Sequence, residues 1–321
     1  MRRIDVFNGD ADGLCALHQL RLAEPAESEL VTGVKRDIAL LERVMAGEGD
    51  AVTVLDVSLD KNRDALLRLL EGGATVRYFD HHFPGDIPAH PRLEAVIDTS
   101  PEVCTSLLVD RHLGGRFRPW AVAAAFGDNL HASARRAAEP LGLDEERLNT
   151  LRELGECLNY NGYGESLDDL HFHPAELYRL VSGHADPFAF VVEEAAYVRL
   201  RDGYREDMAR AAALQPEAET AGGAVYLLPD AQWSRRVSGV FANELATAHP
   251  RRAHGVLTRR SDGTYTVSVR APLANPAGAD ELCRVFPTGG GRKGAAGINR
   301  LPADQLDAFF ARFHAAYPDV I

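Results

Sequence analysis

Through the first 130 residues, short apolar runs alternate with amphipathic stretches, the pattern of βαβ units that build a mostly parallel sheet. Residues 4–7, 30–34, 51–55, 74–79 and 93–97 read as strands, each a short run rich in β-branched and large apolar side chains. Helical spacing of apolar positions predicts helices over 13–22, 37–45, 62–70 and 103–113. From about residue 119 the pattern turns helical, and the stretch 187–213 is long enough to serve as a connector. Residues 216–223 have linker composition. Beyond them, strands over 224–228, 253–257 and 265–270 and an amphipathic helix over 302–316 predict a smaller α/β unit. The reading is an α/β protein: a mostly parallel sheet domain over 1–190, a helical connector and linker over 191–221, and a smaller α/β domain over 222–321.

In an open α/β sheet, ligands bind outside the carboxyl ends of the strands. That is where this chain puts its acids. Asn8-Gly9-Asp10-Ala11-Asp12-Gly13 follows the first strand, Asp56 closes the third, Asp80-His81-His82 closes the fourth, and Gly127-Asp128-Asn129 follows an apolar helical run. Two carboxylates one residue apart repel each other unless a cation fills the space between them. Adjacent histidines add nitrogen ligands, which suit manganese, iron, cobalt or zinc better than calcium or magnesium. Taken singly, each motif also has a plain structural reading: an ordinary D-x-D-G turn, a helix N-cap at Asp56, a surface histidine pair. Their recurrence at successive strand ends points to metal. A calcium EF-hand is excluded, because its Glu is missing and the flanks are strand and helix.

A further motif, Gly289-Gly290-Gly291-Arg292-Lys293-Gly294-Ala295-Ala296-Gly297, frees backbone N–H groups to approach an anion and adds two cations. It lacks the G-K-[ST] ending of a Walker A loop. Lys293 is one of only three lysines in the chain. His171 and His173 read as local loop residues, and Asn159-Tyr160-Asn161-Gly162-Tyr163-Gly164 as a cleft-lining loop.

Composition then narrows the classes. An apolar fraction of 45% and a charged fraction of 26% are ordinary globular values and exclude wholesale disorder. Forty-seven acids against 35 basic residues give a net charge of −12, which disfavours a basic surface coating long polyanions. Cys15, Cys104, Cys157 and Cys283 are too widely spaced for a CxxC motif and too few for a disulfide framework, so they read as reduced. No apolar run approaches the roughly 18 residues of a membrane span, and the first ten residues lack a secretory h-region. A cytoplasmic enzyme is the expectation.

Taken in order, Asp10-Ala11-Asp12-Gly13, Asp56, Asp80-His81-His82, Gly127-Asp128-Asn129 and the glycine-rich run resemble the DHH phosphoesterase superfamily with its DHH-associated carboxyl-terminal domain, in particular its nanoRNase-like oligoribonucleases. The resemblance spans roughly residues 4–300, and Cys104-Thr105-Ser106 opening a helix fits it as well. It implies a phosphoester hydrolase that activates water with two divalent cations, Mn2+ ahead of Mg2+, Co2+ or Fe2+, with substrate held between two domains. Carried over by position, Asp10 and Asp56 would hold the first cation, helped by the Asn8 amide oxygen. Asp12, Asp56, His81 and Asp128 would hold the second, with Asp56 bridging. His82 would lie beside the scissile phosphate and Asp80 would orient the histidines. Arg270, Gly289, Gly290, Gly291, Arg292 and Lys293 would grip the distal part of the substrate. The pattern departs at Val6 and Asn8, where different members carry His or Asp, and at Arg292, where many carry His.

The expected substrate is a short oligoribonucleotide or linear dinucleotide, cleaved to mononucleotides. An exonuclease on long single strands needs an extended basic groove with stacking aromatics, and aromatics make up only 7% of this chain. The rival readings are that exonuclease, a cyclic-dinucleotide or nucleoside-bisphosphate phosphatase, and a nucleotide-binding regulatory protein whose site has decayed. Neither long double-stranded DNA nor a membrane is expected as a partner, and a homodimer is compatible with the reading.

Overall fold

The computed structural model describes residues 2–318 and separates the chain into two compact units, the first ending at Gly203 and the second beginning at Tyr204. The first follows the alternating pattern: β1 (Arg3–Asn8), α1 (Ala11–Ala23), β2 (Glu29–Gly33), β3 (Ala51–Leu55), α2 (Arg63–Glu71), β4 (Thr75–Asp80) and β5 (Leu93–Ile97). Helices complete it: α3 (Thr105–His112), α4 (Arg118–Gly127), α5 (His131–Ala138), α6 (Glu145–Gly162), α7 (Pro174–Ser182), α8 (Pro187–Glu193) and the first part of α9 (Ala195–Ala212). The five strands are parallel, in the order β2-β1-β3-β4-β5. From β1 the chain crosses first to β2 on one side and later to β3 on the other, so the strand order reverses between their carboxyl ends and opens a crevice there.

Both faces of this sheet are covered, which is why its strands read as nearly continuous apolar runs. Side chains alternate along each strand. Ile4, Val6, Val52, Val54, Val76 and Tyr78 pack with Leu66, Leu69 and Leu70 of α2 on one face. Phe7, Leu55 and Phe79 join Leu14, Leu17, Trp120 and Leu154 on the other.

The second unit contains β6 (Ala218–Glu219), β7 (Gly223–Leu228), α10 (Gln232–Ala248), β8 (Ala253–Arg259), β9 (Tyr265–Arg270), α11 (Ala279–Arg284), β10 (Gly289–Gly291), β11 (Ala295–Leu301) and α12 (Leu306–Ala316). Its six strands run in the order β10-β11-β9-β8-β7-β6, with β7 and β8 parallel and the other neighbours antiparallel. Phe309 and Phe313 of α12 close its core against Val225, Leu257, Val267 and Ile298. The α/β class expected from the pattern is the class observed.

Local details differ from the sequence pattern. The helix predicted over 37–45 is a single 3-10 turn, Leu40–Arg43. The distant Asn62 side chain takes over its backbone groups, Oδ1 accepting from Leu41 N–H at 3.1 Å and Nδ2 donating to the Ile38 carbonyl at 2.6 Å. The stretch 187–213 is two helices, because Glu194 adopts extended backbone and ends α8. The boundary between the units falls inside α9, where Tyr197 and Leu200 enter the first core and Asp207 pairs with Arg236 of α10 at 2.8 Å. The glycine-rich run is strand at both ends, β10 paired with β11, with only 292–294 between them. Glycine is needed there: a Cβ on Gly289 would meet the Cys283 carbonyl at 1.8 Å, and Gly291 sits at φ +141°. All four cysteines are buried and unpaired with one another. Among the described residues no helix is long and apolar enough to cross a membrane.

Candidate metal centre

The site is assembled from backbone ends. β1 finishes at Asn8, and Asp10 then caps α1, its Oδ1 accepting from the N–H groups of Asp12 and Gly13 at 3.0 and 3.1 Å. Asp12 therefore lies in the first turn of α1 and not in a loop. Its carboxylate is held by the amino end of α3: Thr105 N–H donates to Oδ2 and Ser106 N–H to Oδ1, both at 2.7 Å. Asp56 follows β3 with φ +59°, a left-handed backbone that aspartate adopts at a cost and that clusters at functional sites. Thr105 Oγ1 donates to Asp56 Oδ1 at 3.2 Å. Asp80, fully buried at the end of β4, accepts from His81 N–H at 2.9 Å and from His82 Nδ1 at 2.7 Å, which fixes the His82 ring.

These groups converge on a cleft of about 360 Å³ lined by Asn8, Asp10, Lys35, Asp56, His81, His82 and Asp128, among others. Two trios have ligand atoms within 4.8 Å of one another: Asp12, His81 and Asp128, and Asp56, His81 and His82. His81 belongs to both, with Nε2 3.4 Å from Asp56 Oδ1. A larger groove of about 650 Å³ lies at the amino ends of the strands, but Arg21 there pairs with Asp5 and Arg77 with Glu24.

The electrostatics are those of crowded, dehydrated acids. Burial, reinforced by Asp12 and Asp10, pushes the Asp56 carboxyl well above its ordinary range. Burial and the neighbouring Asp128 raise Asp12. Burial opposes charge on His81, yet its bond to Asp56 and the field of Asp12 drive it up to about 10. Acids that hold protons this firmly are acids that would gain from a cation. The donor set suits a divalent ion of intermediate hardness, with carboxylate oxygens and one imidazole. Asn8 Oδ1 is moreover buried with no hydrogen-bond partner among the described residues, an acceptor with a lone pair to give. Asp12, His81 and Asp128 therefore fit such an ion, and Asp56 shares His81 with them in the second trio.

Asp10 does not stand open in the same way. Lys35, just beyond β2, places Nζ 2.5 Å from Asp10 Oδ2, 3.2 Å from Asp128 Oδ1 and 3.1 Å from Asn159 Oδ1. Burial would raise the Asp10 carboxyl, but the Lys35 charge beside it brings it below its usual value. Lys35 is the residue that sequence reasoning missed, while Asn159 belongs to the run read as lining the cleft. The stretch 159–164 is chiefly the last turn of α6 and not a loop. Gly162 permits the close approach, since a Cβ there would meet Asp10 Cβ at 2.8 Å. His171 and His173 have local partners, Tyr160 Oη at 2.7 Å and Ala175 N–H at 3.1 Å.

The remaining candidates belong to the second unit. Arg270 ends β9 and donates from Nε to Asn243 Oδ1 at 2.7 Å. Gly289, Gly290 and Gly291 form β10, and Arg292 and Lys293 occupy the turn after it with exposed side chains.

No protein-family profile matches the chain, and no curated protein is similar to it in sequence. Solved structures are. Exonuclease RecJ bound to manganese superposes with TM-score 0.62 at 22% identity, covering 99% of this chain and 91% of that one. RecJ of Thermus thermophilus in complex with Mn2+ gives 0.59 at 22%, covering all of this chain but only 53% of RecJ. The pGpG-specific phosphodiesterase PggH of Vibrio cholerae gives 0.56 at 13%, covering 98% of this chain and 100% of that one. At these identities the likeness defines the fold, which this chain shares with RecJ and PggH.

Proposed function

We propose that this chain is a metal-dependent phosphoesterase that hydrolyses short oligoribonucleotides or linear dinucleotides to mononucleotides. The observation that carries the reading is the pair of trios, Asp12-His81-Asp128 and Asp56-His81-His82, that share His81 beside the cleft at the switch point of the sheet. Mn2+ is the preferred ion on the grounds of ligand chemistry, carboxylates mixed with imidazole. Held by these residues, a divalent ion would supply an activated water and charge neutralisation for the phosphate oxygens.

The chain's own groups do the rest. The α3 amides fix Asp12 and Thr105 fixes Asp56, so the donor geometry exists before substrate arrives. Asp80 holds His82 through Nδ1, which leaves Nε2 for the substrate: an acceptor when the ring is neutral and a donor to the leaving oxygen when it is protonated. Arg292 and Lys293 supply exposed cations for a terminal phosphate, the guanidinium in bidentate fashion. The near-complete mutual coverage with the pGpG-specific PggH supports a dinucleotide-sized substrate. The RecJ likeness favours a second reading, a single-strand exonuclease.

The test is purified protein with Mn2+ against di- to decaribonucleotides, a cyclic dinucleotide, a nucleoside bisphosphate and long single-stranded DNA. Fastest loss of the shortest RNAs is the expected result. Faster loss of long DNA would establish the exonuclease instead, and saturable nucleotide binding without hydrolysis would make this a binding protein.

A further inference from the structure

We propose that the centre works with one divalent cation, and that the Lys35 ammonium takes the position at Asp10 and Asp128 that a second cation would need. The inference rests on the metal-dependent reading above and concerns how many ions that site holds. It follows from how the donors are already committed. The two trios are not two sites, because both use His81. A neutral imidazole has one nitrogen lone pair to give, so one ion at a time binds through it.

Asp10, the remaining acid, has both oxygens engaged. Oδ1 caps α1, and Oδ2 lies 2.5 Å from Lys35 Nζ. The lysine is fully engaged too: its three N–H bonds have three acceptors, on Asp10, Asp128 and Asn159. The surroundings are shaped to hold it. Lys35 N–H donates to the Gly162 carbonyl at 2.8 Å, and Nζ lies 5.6 Å from the centre of the Tyr163 ring. On the other side of Asp10, position 8 is a neutral amide, which adds no charge to retain another ion. A dication at Asp10 would therefore stand against a fixed like charge with one carboxylate already neutralised. An ammonium on a tether does not dissociate, so part of the charge compensation in this cleft becomes independent of metal supply.

The test counts ions. Wild-type protein is dialysed to equilibrium against Mn2+, the bound metal is measured by mass spectrometry, and paramagnetic resonance asks whether the spins are isolated or exchange-coupled. The expected result is one Mn2+ per chain with the spectrum of an isolated ion. Lys35→Met, which keeps the stem and removes the charge, is expected to bind a second Mn2+ and to show coupled spins; Lys35→Arg, which keeps the charge, is expected to stay at one. Two coupled ions in the wild type would overturn the proposal and leave the phosphoesterase reading standing. One ion in both wild type and Lys35→Met would overturn the role given to Lys35. No bound Mn2+ in the wild type would overturn the metal centre itself. The wild-type count decides the matter even if Lys35→Met does not fold.

Discussion

At the carboxyl end of the first sheet, Asp10, Asp12, Asp56 and Asp80 are each at most 2% exposed and held by named donors, whereas Arg292 and Lys293 of the second unit are exposed and make no ion pair among the described residues. The two regions carry opposite charge and opposite degrees of burial. Buried acids must be held in place, because an uncompensated carboxylate in a dry cleft is costly and a misplaced one binds no metal. Exposed cations on a glycine hairpin keep their rotamers and their hydration until an anion arrives. On the proposed function the difference would separate two jobs: chemistry demands positions fixed in advance, while gripping a phosphate tolerates adjustment. Substitutions in the first region should therefore act on turnover, and those in the second on affinity.

The largest effect is expected at Asp56. Asp56→Ala should lower kcat by on the order of 10³-fold or more, since it removes a ligand and the partner of His81. Asp56→Asn is the control for backbone strain, because asparagine also tolerates the left-handed conformation found there. It should fold like the wild type and remain nearly inactive. Near-normal turnover of either variant at saturating Mn2+ would break the comparison at its stronger end. One step out, Asp80→Asn should cost roughly 10- to 100-fold in kcat by loosening His82, with KM little changed.

How much of this was legible beforehand follows the same division. The strand-end acids and Asp80-His81-His82 could be read because short, nearly continuous apolar runs locate strand ends, and strand ends in α/β sheets locate sites. Lys35 could not. It lies two residues beyond β2, and only the placement of β2 beside β1, with the end of α6 behind it, brings its ammonium to Asp10. Nothing local in Gly33-Val34-Lys35 announces that meeting. The missing helix over 37–45 has the same origin, since Asn62 satisfies its backbone from 21 residues beyond Leu41. The glycine-rich run was legible as a place where backbone comes close, but its closest approach is to Cys283 of its own unit.

Burial in the first unit also has a pH signature. His18 of α1 is 1% exposed, its Nε2 bonded to the His184 carbonyl at 2.8 Å, and burial takes its pKa down from 6.5 to about 4. Between pH 4 and 6.5 the unfolded chain binds the proton and the folded one does not, so stability falls as pH falls through that window. From pH 7 to pH 5 the loss from this residue is about 2 kcal/mol. Urea unfolding of wild type and His18→Gln at both pH values should show the difference between the two chains changing by that amount. An unchanged difference would mean that His18 titrates normally in the fold.

The smallest effect is expected where the groups are most exposed. Arg292→Ala should raise KM about tenfold and leave kcat within roughly twofold, because a solvent-exposed charge contact to phosphate lies between a surface ion pair and a buried one in strength. Lys293→Ala should do the same to a lesser degree, since an ammonium lacks the two-pronged geometry of guanidinium. Ionic strength sharpens the test. Exposed charges are screened over a Debye length of about 8 Å at physiological salt, so the wild-type KM should climb with added salt more steeply than that of the double variant. The Mn2+ count of the double variant should stay at the wild-type value, because neither residue belongs to the acidic cleft of the first unit. A fall in kcat with KM unchanged would place these cations in the chemical step and erase the division of labour between the two regions.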